Sequence, residues 1–155
     1  MSTSEGPPAG VPASLPVGLH LARAAKEVTR AFDDALAEVG GSQPIWLVLI
    51  SLKTRRLASQ RELAGAVGIG EATITHHLNA MEARGLITRR RDPDNRRVHL
   101  VELTQAGEEA FYRMRRAAFA FNDRLRADLD DRVVAEFGRT LDRLRGNVSS
   151  QPGVS

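Results

Sequence analysis

Cysteine is absent from this 155-residue chain, which removes disulfide staples, thiol redox switches and cysteine-ligated zinc together. Lysine is almost absent too. Lys26 and Lys53 are the only two, so 20 of the 22 basic residues are arginine. Arginine keeps its charge at any working pH and offers a planar fork that matches phosphates and guanine edges. Long apolar runs are missing: the longest, residues 45–50, is far too short to cross a bilayer. The opening MSTSEGPPAGVPASLP has neither a positive start nor an apolar core, so no secretory signal is expected and the cytoplasm is the expected compartment. There is no Gly-rich phosphate loop, no nucleophile elbow and no helical His pair four residues apart. The expectation is a protein that is not an enzyme, with no catalytic residues, no cofactor and no metal ligands. Of the four histidines, His76 and His77 are adjacent and expected to point apart, so they do not chelate together.

What remains is an ordinary globular composition, 42% hydrophobic and 26% charged, with a net charge of only +3. That length fits one domain with a proper core. Residues 1–15 are rich in Pro, Gly, Ser and Ala and read as a disordered tail, as do residues 147–155. Residues 16–146 between them read as a single unit.

Apolar residues at Leu21, Ala25, Val28, Phe32, Ala35, Leu36 and Val39 recur at steps of three and four, which predicts a long amphipathic helix over residues 17–39, stopped by Gly40 and Gly41. A second helix starting at Pro44 is apolar on most sides and predicts central burial. Ser59 with Glu62 forms a capping box for a short third helix, with Leu63, Ala64 and Val67 inward. A turn at residues 68–70 leads into a fourth helix, residues 71–84, whose inward face is Ile74, Leu78 and Met81. Helix, tight Gly-containing turn, helix is the pattern of a helix-turn-helix. Two strands follow, residues 86–91 and 97–103, joined at Asp92-Pro93-Asp94-Asn95 with Pro at the second turn position. Thr104 caps a long helical region, and Asp130 caps a last helix holding Val133, Val134, Phe137, Leu141 and Leu144.

The arginines are unevenly placed. Six lie between Arg84 and Arg97, against two acids, Asp92 and Asp94. They sit behind and on the hairpin tip that follows a helix whose polar face carries Thr73, Thr75, His76 and Asn79. A helix laid in a major groove reads base edges near its N-terminus. A basic hairpin beside it suits the negative potential of a narrow minor groove. Asp94 is expected to orient Arg96 rather than touch DNA.

The stretch from Ser59 to Gly107 resembles the winged helix-turn-helix of the MarR family of bacterial transcriptional regulators. The resemblance rests on Leu63-Ala64, Ala72-Thr73-Ile74-Thr75 and Met81-Glu82-Ala83-Arg84-Gly85-Leu86-Ile87. It rests most specifically on Asp92-Pro93-x-x-Arg96-Arg97 and Leu103-Thr104-x-x-Gly107. Two positions depart from the family pattern: Gly70 stands where Ser is common, and His76 where Arg is common. His76 would make DNA affinity pH-dependent near neutrality.

The resemblance implies a mainly α fold with a small β-hairpin wing. The winged helix-turn-helix would span about residues 45–104, with dimerisation helices at about 17–39 and 105–146. It implies a homodimer on double-stranded DNA, a pseudo-palindromic operator with half-sites about 34 Å apart. Most such proteins are repressors released by a small aromatic or phenolic effector. The residues expected at the DNA are Ser59, Gln60, Thr73, Thr75, His76, Asn79, Arg89, Arg91, Asp94, Arg96 and Arg97. Those expected at an effector are His20, Arg23, Trp46 and Phe111. A metal-responsive regulator and a DNA-coating protein without sequence preference are the alternatives. An excess of apolar residues around the later helices (Phe111, Met114, Phe119, Phe121, Leu125) independently predicts burial against a second subunit.

Overall fold

The computed structural model describes residues 15–149, so the tails expected at 1–15 and 147–155 lie almost wholly outside the described residues. Six helices and three short strands follow in the order α1 (Val17–Ala37), α2 (Gln43–Arg55), β1 (Ala58–Ser59), α3 (Gln60–Val67), α4 (Glu71–Ala83), β2 (Ile87–Arg91), β3 (His99–Leu103), α5 (Gln105–Leu125) and α6 (Asp131–Ser149).

Local chemistry sets most of these boundaries. Ser42 caps α2 by accepting from the Ile45 amide at 3.4 Å, so the helix opens at Gln43, just before the Pro44 that marks its start in the sequence. The Ser59–Glu62 capping box forms as the sequence predicts. Asp130 accepts from the Val133 amide at 2.9 Å to open α6. Gly70, lacking a side chain, leaves the first turn of α4 with no side-chain cap. Helix α6 runs to Ser149, past the point where the composition of residues 147–155 suggests a tail: helical periodicity through Leu141 and Leu144 outlasts the small polar residues that follow.

The core is a single cluster. Val48, Leu49 and Leu52 of α2 meet Leu63 and Ala64 of α3, Ile74, Leu78 and Met81 of α4, and Met114 of α5. Ile87 and Val101 of the strands and Ala58 close it from the sheet side. The central burial of α2 and the inward face of α4 agree with their apolar patterns.

Two expectations about the strands are corrected. The sheet has three strands, not two, in the order β1-β3-β2 and antiparallel throughout. Ala58 pairs with Val101, a two-residue strand too short to show as an alternation. The reversal also lies further along than residues 92–95. The Val98 amide donates to the Asn95 carbonyl at 2.9 Å, so Arg96 and Arg97 take the two central turn positions. Asp92 and Asn95 side chains bring this about by accepting from the amides of Asp94 and Arg97, at 2.9 and 3.2 Å. These are local turns of the Asx type.

Strand register settles which arginines face inward. Opposed residues share a face, and Ile87↔Leu103, Arg89↔Val101 and Arg91↔His99 lie on the side of the buried Ile87 and Val101. Thr88 and Arg90 face the other way.

Helix α6 is the exception to this packing. None of its residues is buried, and it holds Val133, Phe137 and Val148 at 45%, 57% and 76% exposure. The first half of α1 is similar, with Val17, Leu19 and Leu21 exposed.

Candidate nucleic-acid interface

Helix α4 turns Ile74, Leu78 and Met81 into the core, which forces Thr73 and His76 to the opposite, exposed side. Not every polar residue on α4 stays free. The Thr75 hydroxyl donates to the Glu71 carbonyl at 2.7 Å and accepts from Gln60 Nε2 at 2.5 Å. Its one proton is thus spent inside its own helix, and Thr75 serves as the pin that holds α3 against α4. Ser59 is likewise committed to its cap, where its amide and hydroxyl, with Arg55 behind them, hold the Glu62 carboxyl below the usual carboxylate range.

Arg89 departs most from expectation. It starts on the inner face of β2, and its guanidinium donates to Asn79 Oδ1 at 2.5 Å and Glu82 Oε1 at 3.0 Å on α4. Only 17% of its side chain is exposed. Arg89 and Asn79 therefore tie the wing strand to the reading helix. The hydrogen bond from Arg89, followed by its charge, holds the Glu82 carboxyl below its ordinary value of 4.5. A depressed carboxylate contributes stability that is present above its ordinary value and lost as pH falls through the lowered one. Replacing Arg89 with Ala is expected to move the Glu82 midpoint back up toward 4.5 and to flatten the loss of stability below that pH. Carboxyl-carbon NMR reads the midpoint directly, and an unmoved midpoint would remove Arg89 as its partner.

At the wing tip Arg96 and Arg97 are exposed. Arg91 donates to the Arg96 carbonyl at 3.3 Å and so braces the turn. Among the described residues no ion pair joins Asp94 to Arg96. Asp92 instead accepts from the Asp94 amide and shapes the backbone before the turn.

Two residues absent from the expected set join the site. A cleft of about 360 Å³ separates the start of α3 from the wing. Arg61 and His99 line it together with Gln60 and Arg97, and Glu71 stands 3.7 Å from the Arg61 Nε. Arg61 was legible as the basic residue following a helix cap; His99 needed the register of β3.

The four residues expected at an effector do not come together within one chain. Trp46 and Phe111 stack at 5.5 Å with their planes 19° apart, so each ring fills the space beside the other. His20 and Arg23 lie exposed on the first turns of α1. Lys53, missed in the sequence, completes the aromatic corner. Its ammonium pairs with Glu108 at 2.5 Å and sits 5.1 Å from the Tyr112 ring and 5.7 Å from Phe111. Glu108 first, then Tyr112, raises its pKa above 10.5.

His76 and His77 do not point apart: their rings meet edge to face at 5.8 Å. Among the described residues no three metal-ligating side chains cluster, and no helix is long and apolar enough to cross a membrane.

The profile of the MarR family matches residues 42–99, a span that takes in α2, the capped α3, the exposed face of α4 and the wing. Over that span the chain resembles the MarR family. Its fold is that of solved family members over nearly its whole described length. The transcriptional repressor CouR, bound to a DNA duplex, is 29% identical, with a TM-score of 0.75 over 84% of this chain and 92% of that one. MarR from E. coli in complex with operator DNA shares the fold at 19% identity and a TM-score of 0.74, over 84% of this chain and 94% of that one. PcaV from Streptomyces coelicolor, with its natural ligand, does so at 23% and 0.73, over 86% and 97%. Among curated proteins, the HTH-type transcriptional regulator YdgJ of Bacillus subtilis is 30% identical over 59% of this chain. The match spans 56% of YdgJ, little more than half its length. The family is one of transcriptional regulators. In this chain the exposed face of α4 (Thr73, His76) and the wing tip (Arg96, Arg97) stand free of the core.

Proposed function

We propose that this protein is a sequence-specific DNA-binding transcriptional regulator, a dimeric repressor released by a small-molecule ligand and working in the cytoplasm. The observation that carries the reading is the pairing of an exposed polar face on α4 (Thr73, His76) with two exposed arginines, Arg96 and Arg97, at the wing tip. The Arg89–Asn79–Glu82 tie holds the two in one rigid body. Helix α4 enters a major groove, the wing tip reaches the minor groove beside it, and Arg61 and Arg97 take backbone phosphate at the mouth of the cleft. DNA contacts thus fall to Gln60, Arg61, Thr73, His76, Arg91, Arg96 and Arg97, with Ser59, Thr75, Asn79, Arg89 and Asp94 shaping the surface behind them.

A second copy is supported by α6 and by the start of α1, whose apolar stripes the single chain leaves open. Two copies related by a twofold axis present two reading helices to a pseudo-palindromic operator. Release by a ligand requires only that the ligand bind more tightly to a dimer whose reading helices are wrongly spaced. CouR is a repressor and PcaV was solved with its natural ligand, which supports this part. A small aromatic or phenolic effector among Trp46, Phe111, His20 and Arg23 requires the two copies together, since one chain does not assemble those residues.

The test is binding to the promoter region adjoining the protein's own gene against random duplex DNA, at about 150 mM salt. A repressor of this kind shows a specificity ratio of ~10³ or more. A ratio below tenfold would reduce the protein to a DNA-coating one.

A further inference from the structure

A groove separate from the aromatic corner runs along the opposite flank of α5. It holds about 460 Å³ between α1 and α5, a size usual for small-molecule sites. Its basic lining is Arg113, Arg116 and Arg124, one stripe of α5 at helical spacing, and its only acid is Glu38 on the α1 wall. Its floor is Ala117 and Ala120, with the half-buried Phe121 and Val39 closing the sides.

Three features need an occupant. Among the described residues none of the three arginines pairs with a carboxylate; Arg124 lies only over the Phe121 ring, at 5.5 Å. Arg113 is nevertheless half-buried, and Arg116 stands one turn away, so two like charges share a flank with no carboxylate in ion-pair reach among the described residues. Small alanines then make a trough rather than a packed ridge. From Arg113 to Arg124 the helix rises about 16 Å, so the arginines line the trough along its length.

We infer that this trough binds an elongated carboxylate, a fatty acid of medium chain length. The carboxylate accepts from the paired forks of Arg113 and Arg116, and the acyl chain lies over Ala117 and Ala120 against Phe121 and Val39. Glu38 on the facing wall disfavours polyanions, so a singly charged head is selected over a nucleotide or a nucleic acid.

The experiment is calorimetric titration of the full chain with decanoate and with decanol, in the absence of DNA. The result stands apart from whether the protein reads an operator. Decanoate is expected to bind at least tenfold more tightly than decanol, and the advantage should shrink as salt is raised. Arg113→Gln with Arg116→Gln should remove that advantage, while Arg132→Gln on α6 should leave it intact. Ala117→Phe fills the trough without touching charge and should abolish binding of both probes; circular dichroism and sedimentation establish that each variant is folded and assembled as the parent is. Equal binding of the acid and the alcohol overturns the inference, as does binding that survives Ala117→Phe. Absence of binding to the parent chain also overturns it. If Ala117→Phe then also splits the dimer, the groove belongs to chain–chain contact.

Discussion

Replacing Gly107 with Ala is expected to cost about 3 kcal/mol and to lower the melting temperature by roughly 10 °C. A Cβ built at this position would lie 2.0 Å from the Leu86 carbonyl oxygen, backbone that cannot swing aside. Gly107 sits at the joint of the whole wing. Its amide donates to the Thr104 hydroxyl at 3.1 Å, that hydroxyl donates to the Gly85 carbonyl at 2.5 Å, and the Thr104 amide donates to the Leu86 carbonyl at 3.1 Å. The end of α4, the start of β2 and the first turn of α5 are thus fastened at one point. To admit a methyl, α5 must lift, which breaks the cap and opens the packing of Ala110 and Met114 behind it. Thermal unfolding followed by circular dichroism checks the figure. A variant within about 1 kcal/mol of the parent would mean that α5 gives way freely there.

The second large effect concerns DNA. Replacing Arg96 and Arg97 together with Ala should weaken operator binding roughly thirtyfold or more, since each groove arginine accounts for about 1–3 kcal/mol and a factor of ten is about 1.4 kcal/mol. Both residues occupy the central positions of the Asn95–Val98 turn, where their side chains leave the protein surface and touch nothing that folding depends on. Stability should therefore be unchanged while affinity falls, a separation that Arg89→Ala would not show. The plot of log affinity against log salt should also become shallower, by roughly 0.9 for each phosphate that the variant no longer neutralises. Fluorescence anisotropy over a range of salt reads both quantities. Parent-like affinity with a parent-like slope would remove the wing from the interface.

Much of this was open to reading from the chain. Period three-and-four spacing placed Ile74, Leu78 and Met81 inward on α4, and the capping chemistry of Ser59, Thr104 and Asp130 marked three helix starts where the structure has them. What escaped was whatever depends on pairing across the chain. Strand β1 is two residues long and exists only because Val101 stands opposite Ala58. Leu100 and Val101 break the alternation, so the face taken by Arg89 could be read only once its partner in β3 was fixed. A basic residue in an arginine run looks like any other until register turns it toward Glu82. The same holds for Thr75, whose hydroxyl could have faced outward but for Gln60, fifteen residues away.

Helix α6 carries a consequence for how the protein behaves in a cell. Nineteen residues with none buried leave an aliphatic stripe that the proposed second copy would shelter. Folding of this last helix is then a second-order process, so stability follows mass action and rises with copy number. A cell that lets the pool run low loses bound operators and also leaves the orphaned chains open to proteases. Clearance thereby becomes faster as the protein becomes scarcer, and the decline sharpens itself.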